Sequence, residues 1–211
     1  MSRKNQYYQA LLPGESYHLF TRAVGKEKLF TSRENYISFL RKLKVHTAAI
    51  CCLFCYSLLP NHFHLLIKIH EEAIIIRYFE HIKKVKFDRS KHDLSDFIME
   101  RFSNLLNSYT KMFNIRYDRK GGLFIDYLKR DKVESDSDFT SYVWYIHNNA
   151  VHHGYTRALG EWKFDSYNTM ISDAPTAIMR EEVLNWFGNT EKFIEFHEQK
   201  NYAKFPILDT D

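Results

Sequence analysis

The sequence lacks any apolar run close to the roughly 18 residues that a membrane-spanning helix needs. Its first 13 residues are polar and contain no signal-peptide core. Internal repeats, low-complexity segments and long linkers are also missing. These absences predict a soluble cytoplasmic protein without a membrane partner. The 211 residues suit one domain with an elaboration, and 45% hydrophobic residues suffice for a core.

Cysteine is scarce and confined to one place. The only three cysteines, Cys51, Cys52 and Cys55, lie in a single apolar stretch. An odd, clustered set argues against a disulfide framework, and the CxxC spacing has no second pair with which to complete a zinc site. We expect reduced thiols that serve as small apolar side chains in a strand.

The net charge of +4 indicates little by itself, but the charges are unevenly distributed. Residues 77–91 carry six basic and two acidic side chains, and 111–132 carry seven basic and three acidic. Residues 181–211 carry three basic and seven acidic side chains. This asymmetry favours a polyanion bound at one face, with ordinary solvated faces as the alternative.

The spacing of apolar residues predicts the order of elements. Strands are expected over 17–23, 50–59, 62–69 and 123–129, helices over 32–48, 95–113 and 138–150, and 71–91 is undecided between a short helix and a loop. Thr31 and Glu34 fit a capping box for the first helix. Two short helices are expected at 179–187, ended by Gly188, and at 191–199, capped by Thr190.

This order, β-α-β-β-α-β with a further helix, matches a ferredoxin-like α+β fold, an antiparallel sheet with helices on one face. The other face, toward which His62 and His64 point, is expected to be open. We expect residues 1–155 to form the main domain and 156–211 to form a helical extension packed on it.

His62 and His64 stand at the start of a predicted strand, directly after a Pro-Asn turn. Residues i and i+2 of a strand share a face, with α-carbons roughly 6.5 Å apart. Two imidazoles can then converge on one metal ion, while Phe63 anchors the strand in the core. Taken alone, an HxH pair is more often solvated or packed than metal-binding.

The stretch YVWYIHNNA forms part of the helix predicted over 138–150. At about 100° per residue, Tyr142, Tyr145 and Asn149 line one edge of its buried face. Tyr145 and Asn149 are one turn apart and can act at one site. The alternative is that these tyrosines only pack.

Three segments carry a family resemblance: PNHFHLLIKI, NSYTKMFNIRYDRKGGLF and YIHNNAVHHGY. Together they resemble the HUH tyrosine transposases of insertion sequences, most closely the REP-associated tyrosine transposases, over residues 17–167. The resemblance implies that residues 1–155 are a catalytic domain that nicks and rejoins single-stranded DNA through a 5′-phosphotyrosine. One departure is Ala150-Val151-His152-His153, where many relatives have Pro-Val-Arg-Ala.

The resemblance also implies roles for individual residues. His62, His64 and Asn149 match the metal ligands, and Tyr145 matches the nucleophile, with Tyr142 in reserve. A phosphotyrosine conserves the energy of the broken bond, and a divalent ion would polarise the phosphate. Imidazole and amide ligands suit Mg²⁺ or Mn²⁺, and Zn²⁺ stays open.

Basic residues around the Gly121-Gly122 turn are candidates for binding single-stranded or hairpin DNA, because they alternate with aromatic side chains. They are Lys111, Arg116, Arg119, Lys120, Lys129 and Arg130. A solvated hairpin tip is the alternative. When bound to DNA, the protein would be associated with the nucleoid. A homodimer is possible, so the tyrosine could act in its own chain or in its partner.

Two rival functions remain. A non-catalytic nucleic-acid-binding module of ferredoxin-like fold would show stacking aromatics where the sheet carries histidines. A metal-dependent hydrolase would need a carboxylate base beside the HxH pair, and none accompanies it.

Overall fold

The computed structural model describes residues 8–125 and 128–199. The strands are β1 (Ser16–Arg22), β2 (Cys51–Leu59), β3 (His62–Ile69) and β4 (Lys129–Lys132). The helices are α1 (Arg33–Thr47), α2 (Glu72–Lys83), α3 (Leu94–Arg116), α4 (Asp136–His152), α5 (Tyr167–Met170), α6 (Arg180–Phe187) and α7 (Thr190–Glu198). None of the helices in the described ranges is long and apolar enough to cross a membrane.

The four strands form one antiparallel sheet in the order β2-β3-β1-β4. The hairpin between β2 and β3 closes through Pro60-Asn61, with Leu59 paired to His62. On its other side β3 pairs with β1, so that Phe20 lies opposite His64. This topology confirms the predicted α+β, ferredoxin-like fold, with the tyrosine-bearing helix after the last strand and helices beyond it.

One face of the sheet builds the larger core. Phe63, Leu65 and Ile67 point to this face and are at most 1% exposed. Their neighbours come from α1 and α3, and the Phe39 and Phe63 ring centroids are 4.9 Å apart. The alternation of β3 therefore gives the helix-covered face that the sequence predicted.

The second face is not open, and here the prediction was wrong. Leu66 on this face shares a second core with Phe139, Val143 and Ile146 of α4. Helix α4 lies across β2 and β3, and α6 and α7 pack behind it. The apolar stripe of α4 has to be buried against another apolar surface, and the second face of the sheet offers Leu66 and its neighbours.

Element boundaries differ from the prediction at the fourth strand. The expected strand 123–129 is reduced there to one bridge between Phe124 and Ala23, and the ladder with β1 starts only at Lys129. Leu123 is fully buried in the larger core, so this segment supplies packing rather than a regular ladder. Asp126 and Tyr127 of the expected strand lie outside the described residues.

Helix caps also shift by one residue. Asn35 replaces Glu34 in the cap of α1, because Asn35 Oδ1 accepts from the Thr31 and Ser32 backbone N–H groups. Ser32, rather than Thr31, is the N-cap residue of α1. At α7 the cap is Asn189 instead of Thr190, and its side chain accepts from Lys192 N. Gly188 ends α6 as predicted.

The role of Asn35 in capping α1 can be tested by comparing its substitution with that of the neighbouring Glu34. Asn35 is fully buried, and its Oδ1 also accepts from the Tyr117 hydroxyl at 2.9 Å. Asn35→Ala leaves these donors unpaired, which should lower the free energy of unfolding by about 1–3 kcal/mol. Glu34→Ala, the matched control, should change it much less. Urea denaturation measures both, and a larger loss for Glu34→Ala would refute the cap.

Candidate functional site

His62 and His64 are buried side by side at the start of β3. They are 2% and 1% exposed, and their ring centroids are 5.2 Å apart at nearly right angles. Both side chains lie on the sheet face covered by α4, because alternate strand residues share a face. The packing of α4 thus places the imidazole pair beneath a helix instead of on an open surface.

The two nitrogens of His62 face two amide oxygens. Nδ1 lies 2.8 Å from Asn61 Oδ1, and Nε2 lies 3.0 Å from Asn149 Oδ1. Burial, with a further contribution from His153, lowers the pKa of His62 to about 4, so its ring is neutral at pH 7. A neutral imidazole has one N–H, so only one of the two oxygens can accept from it.

The contact with Asn149 fits a cation. When His62 Nδ1 donates to Asn61, the Nε2 lone pair is directed at the Asn149 carbonyl oxygen, and two acceptors in contact repel each other. Two ligands bonded at about 2.1 Å and at right angles lie about 3.0 Å apart. The separation of His62 Nε2 and Asn149 Oδ1 is 3.0 Å.

His64 has one nitrogen bonded and one without a partner. Its Nδ1 lies 2.9 Å from His18 Nε2, while its Nε2 is buried without a hydrogen-bond partner. Burial, followed by the effects of His18, His62 and His153, holds the pKa of His64 well below its usual value. The ring is therefore neutral, as a metal ligand must be.

These donors fit a divalent ion held by two imidazoles and an amide. Asn149 is fully buried on α4, and its Nδ2 atom has no hydrogen-bond partner either. Across residues 8–125 and 128–199, no group of three or more His, Cys, Asp or Glu side chains could hold a metal. The Asn149 carbonyl oxygen, 3.0 Å from His62 Nε2, is the candidate for a third protein ligand beside the two imidazoles.

Tyr145 lies against the same imidazoles. Its ring centroid is 5.3 Å from that of His64 and 5.9 Å from that of His18, in edge-on arrangements. The side chain is 8% exposed, and Asn149 follows one helical turn later. The structure therefore brings Tyr145, His62, His64 and Asn149 together within one chain.

Tyr142, the second candidate for the nucleophile, has its hydroxyl bonded to a residue outside the imidazole pair. Its hydroxyl donates to Asp131 Oδ2 on β4, and its ring lies 4.8 Å from His18. Burial raises the pKa of the Asp131 carboxyl. The Tyr142 hydroxyl is thus directed toward the β4 edge, consistent with a packing role.

The six predicted DNA-binding residues separate into three groups. Lys129 is near the site, with Nζ 5.5 Å from the Phe20 ring, which stacks on His64. Arg130 reaches the Tyr8 carbonyl and the Met99 sulfur instead, on the α3 side of the sheet. The remaining four, Lys111, Arg116, Arg119 and Lys120, lie at the end of α3 and in the turn that follows.

Among these four residues, called the turn group below, Arg119 stabilises the turn itself. Its guanidinium donates to Glu27 and to the carbonyls of Gly121 and Gly122. Arg116 lies 3.8 Å from Glu34. Lys111, Arg116 and Lys120 are all exposed, but Arg116 is paired with Glu34, so Lys111 and Lys120 are the better candidates for phosphate contacts.

Sequence reasoning missed His18 and Asn61. His18 belongs to the strand YHLFTRA, but no pattern in that strand indicates its register against β3. Asn61 is part of the Pro-Asn turn before His62, and this pattern indicates a turn but not a contact with the imidazole. Only the register of β1 with β3 and the closure of the hairpin bring both side chains to the imidazoles.

No family model and no curated protein match the chain. Among solved structures it is similar to a REP-associated tyrosine transposase bound to a REP hairpin, with a TM-score of 0.57 and 14% sequence identity. The alignment covers 83% of this chain and 89% of that one. The protein therefore shares its fold with a REP-associated tyrosine transposase, as its motifs predicted.

Proposed function

We propose that this protein nicks and rejoins single-stranded DNA as a single-tyrosine transposase does. The observation that carries the proposal is the meeting, in one chain, of Tyr145 with a neutral imidazole pair and the Asn149 carbonyl oxygen. A phenol next to a site for a divalent ion is the combination that a metal-assisted phosphotyrosine mechanism requires.

In the proposed reaction, the Tyr145 hydroxyl attacks the scissile phosphorus. The bond between Tyr145 Oη and phosphorus forms as the bond from phosphorus to the 3′ oxygen breaks. The phenol loses its proton, and the departing oxygen takes one up. The products are a 5′-phosphotyrosine and a free 3′-hydroxyl, and attack by another DNA 3′-hydroxyl reverses the step and rejoins the strand.

His62, His64 and Asn149 would hold the metal ion, for which Mg²⁺ or Mn²⁺ is the best match to these ligands. Such an ion, when bound, acts as a Lewis acid on the phosphate. The chain contributes the rest. Burial keeps both imidazoles neutral, Asn61 orients His62, and the turn of α4 between Tyr145 and Asn149 fixes the nucleophile relative to the ligands.

The solved neighbour is bound to a REP hairpin, which supports single-stranded or hairpin DNA as the partner here. Lys129 beside the site and the exposed Lys111 and Lys120 would contact phosphates. We assign this action to the cytoplasm, at the nucleoid. Because the tyrosine meets the ligands of its own chain, the proposal does not require a dimer.

We propose that residues 1–155 form the catalytic domain and that 156–211 form an extension packed on it. In the described part of the extension, Ser166 N donates to Tyr56 O on the edge of β2. The Ser166 hydroxyl lies 2.9 Å from His147 Nε2 on α4, and His147 Nδ1 lies 3.0 Å from His197. These contacts support an extension that holds α4 in place.

Tyr145→Phe should abolish the covalent adduct, because it removes the attacking oxygen and keeps the ring. Labelled single-stranded hairpin DNA incubated with protein and Mn²⁺, then separated on a denaturing gel, measures the adduct. The control Tyr142→Phe should keep adduct formation within about tenfold. An adduct that persists in Tyr145→Phe would eliminate this nucleophile, and DNA binding without any adduct in the unmodified protein would favour the non-catalytic module.

Removal of the metal should separate binding from chemistry. Chelation with EDTA should reduce the adduct to background while hairpin binding persists, and Mg²⁺ or Mn²⁺ should restore it. His62→Ala should show no adduct even with the ion present, whereas His81→Ala, at an exposed position on α2, should behave as the unmodified protein. Full adduct yield in EDTA would contradict a metal-assisted step.

Exposed lysines of the turn group should act through phosphate contacts. Lys111→Ala and Lys120→Ala should each weaken hairpin binding and reduce the slope of log affinity against log salt by about 0.7–0.9. Lys192→Ala on α7 serves as the control with an unchanged slope. Binding titrations from low to moderate salt measure this, and unchanged slopes for both turn variants would exclude these residues from the DNA interface.

A further inference from the structure

His18 is a fully buried histidine on β1 for which the proposed mechanism has no use. It lies opposite Leu66 in the register of β1 with β3, two pairs away from Phe20 and His64 and on the same face of the sheet. Its ring stacks on Phe20 at 4.9 Å and lies 4.8 Å from Tyr142. A titratable ring in such apolar surroundings is costly to bury unless its hydrogen bond has a purpose.

That hydrogen bond joins His18 Nε2 to His64 Nδ1 at 2.9 Å. Both rings are buried, at 0% and 1% exposed, and each of the two facing nitrogens carries either a hydrogen or a lone pair. One ring must therefore donate and the other accept. The direction of this one bond decides which nitrogen of His64 carries hydrogen.

Only one of the two directions leaves His64 able to bind a metal. If His18 Nε2 accepts, the hydrogen of His64 is on Nδ1 and its Nε2 lone pair is available. If His18 donates, the hydrogen of His64 is on Nε2 and no lone pair faces the ion. Either direction leaves one buried N–H without a hydrogen-bond partner, at His18 Nδ1 in the first case and at His64 Nε2 in the second. His18 itself uses Nε2 for this bond, so it cannot offer that atom to the same ion.

His62 and His64 each have a hydrogen-bond partner at Nδ1. Asn61 Oδ1 lies 2.8 Å from Nδ1 of His62, and His18 Nε2 lies 2.9 Å from Nδ1 of His64. In both cases an acceptor next to Nδ1 would leave Nε2 as the ligand atom. Partners of this kind fix the tautomer and the ring orientation of metal-binding histidines.

We propose that His18 is a positioning residue that accepts the Nδ1 hydrogen of His64 and thereby presents His64 Nε2 to the divalent ion. This inference rests on the proposed function, because it assumes the metal centre at His62, His64 and Asn149. The contact between the His18 and Tyr145 rings, 5.9 Å apart, places the same residue next to the nucleophile.

The test measures Mn²⁺ binding to the full-length protein without DNA, by calorimetry. His18→Leu fills similar space but offers no acceptor, and it should weaken Mn²⁺ binding about 10–100-fold. His18→Gln can place its amide oxygen near the position of Nε2, and it should bind Mn²⁺ within about threefold of the unmodified protein. His81→Leu on α2 is the control with unchanged affinity.

A second measurement covers the case in which His18→Leu fails to fold. Long-range ¹H–¹⁵N spectra of the unmodified protein with Mg²⁺ report the hydrogen position on each imidazole. His64 should carry hydrogen on Nδ1 and none on Nε2. Hydrogen on Nε2, equal Mn²⁺ affinity in His18→Leu, or no Mn²⁺ binding by the unmodified protein would each overturn the inference.

The two proposals fail in different ways. If the unmodified protein binds Mn²⁺ through His64 but forms no covalent DNA adduct, the proposed function fails while the role of His18 stands. If the adduct forms and His18→Leu binds Mn²⁺ as tightly as the unmodified protein, only the role of His18 is refuted. Saturating Mn²⁺ should restore adduct formation in His18→Leu, because that variant keeps the nucleophile and all three ligands.

Discussion

The packing of α4 onto β3 is the constraint on which the candidate site depends. Leu66 on the strand and the stripe of Phe139, Val143 and Ile146 on the helix bury one another in the second core. The same packing sets Asn149 over His62 and Tyr145 against His64. An apolar contact near the middle of β3 thus aligns the polar groups at its start, as a rigid scaffold does for a catalytic constellation.

Burial by this helix also determines the electrostatics of the site. The three imidazoles His18, His62 and His64 are neutral, because desolvation opposes their charged forms. Neutral rings can each offer a lone pair, and in a buried site of low dielectric constant a cation is attracted more strongly by such dipoles than it would be in water. The arrangement suits a metal ion that meets a polyanionic substrate.

Local patterns and long-range contacts differ in how far they could be predicted. The alternation of β3 gave its bounds without error, and the stripe of α4 gave a helix within two residues at each end. The cap of α1 was misplaced by one residue, and the Tyr117 hydroxyl that also bonds Asn35 could not be predicted, because it comes from a distant part of the chain. The fourth strand was misplaced because Leu123 is held by burial rather than by a regular ladder.

The sequence by itself determined the order of the four strands and of helices α1, α3 and α4, the shared face of His62 and His64, and the spacing of Tyr145 and Asn149, because these follow from the repeats of a strand and a helix. Only the tertiary structure decided that α4 covers the predicted open face, that His18 and Asn61 support the imidazoles, and that Arg130 lies on the far side. Those facts depend on strand register and on which surfaces bury one another, and these are properties of distant segments in contact.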